Sequence, residues 1–366
     1  MPLDIDAVSR PSRVAEPDEG ISGEELQLAA RNHGLPLEAL RFDITPPGLH
    51  YLLTHYDIPM VDPAGFRVLV DGLVDTALSL DLDDLRSRPR ESRVVTMECA
   101  GNGRARLSPR PVSQPWLVEA VGTSRWTGTP LAPLLREAGV HDDAVDVVFT
   151  GADHGIERGV EQDYQRSLPL AEAMGEDILL AYEMNGAALP PQHGYPLRLV
   201  VPGWYGMAHV KWLARVDVVD ERFDGYQMRA YRTRQQPDEP GVSLTRIEPR
   251  ALLVPPGFPD FMSRARVLPA GRTTVEGRAW SGWAPVDGVE VSIDGGDTWD
   301  SANLEPAPDR WGWARWTWTW EATAGSYVLS ARASDRSGRS QPIEQPWNRG
   351  GFANNLVQRV PVAVVG

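Results

Sequence analysis

Apolar positions along this chain recur mostly with the period of a strand and only occasionally with that of a helix. Phe66-Arg67-Val68-Leu69-Val70 alternates as a half-buried strand does and ends at the turn pair Asp71-Gly72. Val94-Val95, Val145 to Phe149, Ile178 to Tyr182, Leu197 to Val201 and Ala214 to Val218 read as further strands. Three segments carry helical signals. Leu26, Ala29 and Ala30 share one face of a helix over Glu24 to Asn32, and Leu80 to Leu85 starts another with acids in its first turn. The third runs from Pro130 to Ala138, with Thr129 as N-cap, Pro130 at the first helical position and Gly139 as a left-handed stop. Its residues Leu131, Leu134, Leu135 and Ala138 form the face that docks on a core. Strands mixed with a few short helices, without the regular alternation of a doubly wound sheet, predict an α+β fold class for this part.

The pattern changes after about Tyr231. Six prolines between Pro237 and Pro259 predict a long extended connection. Beyond it, nine of the thirteen tryptophans fall within residues 280–347, the mark of a separate unit with its own aromatic core. Val289, Val291 and Ile293 alternate inward before the turn Asp294-Gly295-Gly296-Asp297, and Trp316, Trp318 and Trp320 share one strand face. Short strands at this spacing predict an all-β, immunoglobulin-like sandwich. The chain thus divides into an N-terminal tail and helix (1–44, of which 1–20 read as a mobile tail), a catalytic unit (45–245) and the sandwich (246–366).

Composition narrows the function. The net charge of −14 excludes a general nucleic-acid binder and repels anions at long range, so an anion site must be locally basic. A single cysteine excludes an intrachain disulfide, a four-thiolate metal site and haem attachment through Cys-x-x-Cys-His. No apolar run approaches membrane-spanning length, and Met1 to Asp6 lack a signal pattern, which gives a cytoplasmic expectation (periplasmic if a leader has been removed).

The lone cysteine sits in Arg93 to Arg106, where the strand around Val94-Val95 gives way to the turn Gly101-Asn102-Gly103, with Arg104 and Arg106 beyond. Nearby cations favour the thiolate, the nucleophilic and metal-binding form, whereas lone cysteines are more often buried as small hydrophobes. A second cluster, His193, Arg198, His209 and Lys211 among glycines, offers cationic donors and close backbone approach to an anion; it reads equally well as a solvated basic face.

Glu98-Cys99-Ala100-Gly101-Asn102-Gly103-Arg104 resembles the cysteine loop of the sulfite oxidase family. Ala181 to Gly186, His193 to Arg198 and Pro202 to Trp212 are similar to that family in order and spacing, and Ser292 to Trp299 resembles its dimerisation module. The resemblance covers roughly residues 45–366 and implies one molybdenum-molybdopterin per chain, oxygen-atom transfer (sulfite to sulfate) and a homodimer. It implies Cys99 as the metal ligand, Tyr231 near the reacting oxygen and Arg104 in the anion pocket. Tyr51, His55, Asp153, His193, Arg198, His209, Val210 and Lys211 fall where the family contacts the cofactor. Two positions depart from the pattern: Leu53 and Gly350 stand where the family has arginines, with Arg349 beside the second. Electrons must leave to an external acceptor, and a basic cytochrome would complement the acidic surface. Alternatives are an S-oxide or N-oxide reductase on the same cofactor, a thiol hydrolase using Cys99 with His193 or His209, and a non-enzymatic scaffold.

Overall fold

The computed structural model describes residues 13–366, so the reading of residues 1–12 as part of a tail lies outside the described residues. Ten strands build the first unit: β1 (Val68–Gly72), β2 (Leu78–Leu80), β3 (Glu91–Glu98), β4 (Val121–Pro130), β5 (Asp146–Glu157), β6 (Val160–Pro169), β7 (Leu179–Met184), β8 (Ala187–Ala188), β9 (Arg198–Val200) and β10 (Leu213–Val219). They form two sheets. One has the order β2-β1-β10-β5-β6, with only β1 and β10 parallel; the other is β3-β4-β7-β8, with β9 also on β7. A core of Val68, Val70, Phe149, Leu180, Leu199 and Val216 joins the two, and the helix Leu131–Ala138 adds Leu131, Leu134, Leu135 and Ala138. The fold is mostly β with few helices, which narrows the α+β expectation.

Four local expectations change. Pro130 ends β4 and is itself the N-cap, so Thr129 pairs with Leu180 in the sheet, and Leu131 N–H donates to Ile178 O (3.0 Å). The N-terminal helix forms at Gly23–Arg31 behind a Ser22–Glu25 capping box, but Leu26 is 55% exposed and Glu25 is the buried residue. Arg110 reverses that face: its Nε donates to Glu25 Oε1 (2.8 Å), and an ion pair outranks a short apolar stripe there. Residues 13–20 are tied down too, since Ala15 N–H donates to Arg110 O (2.8 Å). Finally, the proline-rich stretch is not one extended connection, because β12 (Val242–Ser243) pairs with β11 (Arg232–Thr233), and β13 (Arg250–Leu253) is fully buried in the second unit.

That unit is two sheets face to face: β13, β16 (Gly271–Trp280), β20 (Ala314–Ala322) and β19 (Asn303–Leu304) in one. The other holds β14 (Phe258–Pro259), β15 (Arg266–Pro269), β22 (Val360–Val365), β21 (Gly325–Asp335), β17 (Val286–Ser292) and β18 (Asp300–Ser301). Val289, Val291, Trp316 and Trp320 meet in its core, with Trp318 partly buried beside them. The second unit also covers the open edge of β3. Val94 N–H donates to Asp309 Oδ2 (3.0 Å) and Thr96 N–H to Trp311 O (2.8 Å), satisfying edge amides that would otherwise pair with another chain. No helix among the described residues is long and apolar enough to cross a membrane.

Candidate active site

Strand β3 delivers Cys99 to its own end, where the chain must turn. Cys99 N–H donates to Ala120 O (2.9 Å), and Asn102 N–H donates back to Cys99 O (2.9 Å). Gly103 alone of the two turn glycines takes positive φ (90°); Gly101 is needed for space, since a Cβ there would sit 2.6 Å from Arg104 Nη2. The loop is fastened from the second unit. Ala353 N–H donates to Ala100 O (2.8 Å) and Asn354 Nδ2 to Gly103 O (2.7 Å). Glu98, beside the cysteine, accepts from Asn102 Nδ2 (3.0 Å) and Trp280 Nε1 (2.8 Å). Arg250 Nε lies 2.8 Å from the same carboxylate as a close but unaligned ion pair.

Cys99 opens into a cavity of about 640 Å³ of free space, its open mouth included. Tyr51, His55, Asp153, His193, Arg198, His209, Lys211 and Tyr231 line it with Cys99, as does Leu53. Eight of the predicted residues thus share one chamber with the cysteine. Burial pushes the Cys99 thiol up, with the Arg104 charge pulling it back. A register shift in β5 between Thr150 and His154 turns Asp153 inward, where burial raises its carboxyl to about 6 against the opposing pull of Lys211. Lys211 Nζ donates to Leu53 O (3.0 Å) and Gln192 O (3.2 Å), and burial lowers it to about 7.

Arg198 is held by His193 O (2.9 Å) and His209 O (3.2 Å) with its guanidinium 4.6 Å from the Trp126 ring; burial lowers it to about 10. His55 Nε2 lies 2.8 Å from Tyr231 Oη, and burial raises the tyrosine well above its ordinary range.

Two predicted residues are engaged within the fold. The His209 ring lines the chamber, but its Nδ1 accepts from Val201 N–H (3.1 Å) and its Nε2 meets Trp204 O (3.1 Å). Val210 does not line the chamber: its side chain is core, and its N–H donates to Ala208 O (3.1 Å). Arg104 stands on the far side of the wall. It lines a neighbouring cavity with Arg158, Arg229, Arg232, Arg234, Arg349 and Gly350, donating to Gly350 O (2.8 Å) and Gln114 O (3.2 Å). The wall is Phe352, stacked 5.0 Å from the Arg104 guanidinium and 5.2 Å from the Tyr231 ring.

Sequence reasoning missed His50, Tyr164, Met97 and Met207, which also line the chamber. His50 carried a signal, as Pro46-Pro47-Gly48-Leu49 runs straight into it, and Gly122 in β4 makes its room: a Cβ there would lie 2.5 Å from the His50 ring.

Comparison with known proteins bears on what fills this chamber. Residues 55–227 match the oxidoreductase molybdopterin-binding domain and residues 258–365 the Mo-co oxidoreductase dimerisation domain. The chain is 36% identical to the sulfite oxidase of Gallus gallus over 88% of its own length and 73% of that protein's. It is 35% identical to the mitochondrial sulfite oxidase of Homo sapiens, of which it spans 62%. A nitrate reductase [NADH] of Brassica napus is 31% identical, with 38% of its length covered. Among solved structures, the sulfane dehydrogenase SoxCD from Paracoccus pantotrophus superposes with a TM-score of 0.78 at 26% identity, covering 98% of this chain and 89% of that one.

The chamber fits a molybdopterin. His50 Nε2, Asp153 Oδ1 and Arg198 Nε are buried without a protein partner, two able to accept from a pterin and one to donate to a phosphate. Among the described residues no group of three His, Cys, Asp or Glu could hold a metal unaided. The chain belongs to the sulfite oxidase family and is an oxidoreductase with a molybdenum-molybdopterin cofactor.

Proposed function

We propose that the chain oxidises sulfite to sulfate and passes two electrons to an external acceptor. The observation that carries this is the wall between the two cavities. Its inner face bears Tyr231, on the Cys99 side, and its outer face bears Arg104, whose guanidinium is held by carbonyls alone. In the outer cavity an oxyanion meets a cation held by neutral carbonyls, and in the chamber behind the wall Tyr231 presents a hydroxyl 2.8 Å from His55 Nε2. When bound, molybdenum-molybdopterin supplies the transferable oxygen and takes up the electron pair. Cys99 would hold the metal, and Asp153, His193, Arg198 and Lys211, with Tyr51 and His55, would hold the organic part. The sulfur-oxidising names of the relatives support the choice of sulfite over nitrate.

The test is sulfite-dependent ferricyanide reduction by protein whose molybdenum content is measured in the same sample. Turnover is expected; silence from fully loaded enzyme rejects sulfite. A second reading, reduction of a neutral S-oxide or N-oxide, is favoured by the apolar Leu53 lining the chamber, and a substrate panel on the same sample separates the two. We further infer a homodimer through residues 258–365 and a basic cytochrome as acceptor for a chain of net charge −14. Sedimentation at micromolar concentration giving only monomer would reject the dimer.

A further inference from the structure

The cavity outside Arg104 is far more basic than a four-atom anion requires. It holds about 1050 Å³ of free space with its open mouth included, and six guanidinium groups line it: Arg104, Arg158, Arg229, Arg232, Arg234 and Arg349. Among its described lining residues there is no carboxylate, although acidic side chains outnumber basic ones by 50 to 36 in the chain.

The way these arginines are held matters more than their number. Arg232 donates to Gly241 O (2.9 Å), Ser243 Oγ (2.6 Å) and Pro240 O (2.5 Å), and Arg234 to Arg229 O (2.6 Å). Arg104 is likewise tied to two carbonyls. Neutral acceptors orient a guanidinium without cancelling its charge. Arg229 does reach a carboxylate, Asp224 at 3.4 Å, but both side chains are exposed, so that pair screens little of the cavity. A concave wall lined by one sign of charge focuses the potential inward.

The chamber behind the wall is different, because the lining position at Leu53 is apolar. The chamber's own cations, Arg198 and Lys211, are given to the cofactor, so the cations left for a substrate stand in the vestibule rather than beside the reacting atom. We propose that this vestibule is a subsite for a second anionic group, and that the favoured substrates carry an oxidisable sulfur at one end and a carboxylate or sulfonate at the other.

The proposal rests on reading the chain as a sulfur-oxidising enzyme and narrows its substrate class to bifunctional anions. For a sulfinate the step is R–SO2− + H2O → R–SO3− + 2H+ + 2e−. A sulfur–oxygen bond forms at the sulfur lone pair, both O–H bonds of water break, the protons go to solvent, and the electron pair goes to two one-electron acceptors.

The experiment compares sulfite, propane-1-sulfinate and 3-sulfinopropionate with molybdenum-loaded enzyme and ferricyanide. The last two share the reacting group and chain length and differ in the remote carboxylate. One charge-assisted contact predicts a kcat/KM about ten- to a hundredfold higher for 3-sulfinopropionate than for propane-1-sulfinate. In the variant Arg158→Gln/Arg234→Gln that ratio falls to near one. Calorimetry with 3-sulfopropionate, which cannot react further, should show binding to the loaded enzyme that the variant weakens at least tenfold. Turnover of sulfite with equal rates for the two sulfinates overturns the vestibule and leaves the sulfite reading standing. No turnover of any of the three rejects that reading, and the calorimetry then decides the vestibule alone: unchanged binding in the variant overturns it.

Discussion

Replacing Arg250 by methionine tests whether the second unit holds the cysteine loop in place. Arg250 and Glu98 are 2% and 1% exposed at their side chains, and the carboxylate is one residue from Cys99. Removing the guanidinium leaves a buried charge with only two neutral donors, Asn102 and Trp280. Taking one partner from a buried ion pair costs about 3–5 kcal/mol, since the remaining ion keeps its desolvation penalty and loses its compensation. The same change removes the guanidinium that donates to Asn354 O, and Asn354 holds Gly103 from the other side of the loop.

Urea denaturation followed by tryptophan fluorescence reads the stability loss, and metal analysis of the purified variant reads retained molybdenum, expected to fall with it. The control is Arg250→Met with Glu98→Gln, which removes both charges and keeps one acceptor oxygen, so that one of Asn102 and Trp280 loses its partner. Neutralising the pair should recover part of the loss, because an uncharged replacement has no ion to desolvate, less the cost of one unpaired donor. A single variant within about 1 kcal/mol of the parent would refute the argument. So would a double variant no more stable than the single one.

What was legible in the chain follows from how local the determinants are. The strand-to-turn passage at Cys99 was readable because Val94-Val95 and Gly101-Asn102-Gly103 act over a few residues. The tryptophan face of β20 was readable because its period is two, and Trp316 and Trp320 are indeed core. The N-terminal helix was legible as a helix but not in its orientation, which Arg110 decides from 85 residues away. His209 and Val210 were legible as neighbours of the site, but the needs of the Val201, Trp204 and Ala208 backbone engage them within the fold. The vestibule was least legible. Arg104, Arg158, the 229–234 run and Arg349 converge only once both units are assembled, and the alternation of Arg232 and Arg234 around Thr233 was the sole local hint.

Two further perturbations act on the chamber itself. Cys99→Ser should keep the circular dichroism of the parent and lose turnover to background, because a hydroxyl is a poor replacement for a soft thiolate; an active variant would remove Cys99 as the metal ligand. Asp153→Asn tests the buried carboxyl in cofactor-free protein, where burial raises it from 3.8 to about 6. Over that interval the folded state keeps a proton that the unfolded state has released, so Asp153 contributes stability below about pH 4 that is lost as pH rises through 6. The difference in urea midpoint between Asp153→Asn and the parent should therefore shift in the variant's favour from pH 4 to pH 7, and a pH-independent difference would mean that Asp153 titrates as an ordinary exposed carboxylate.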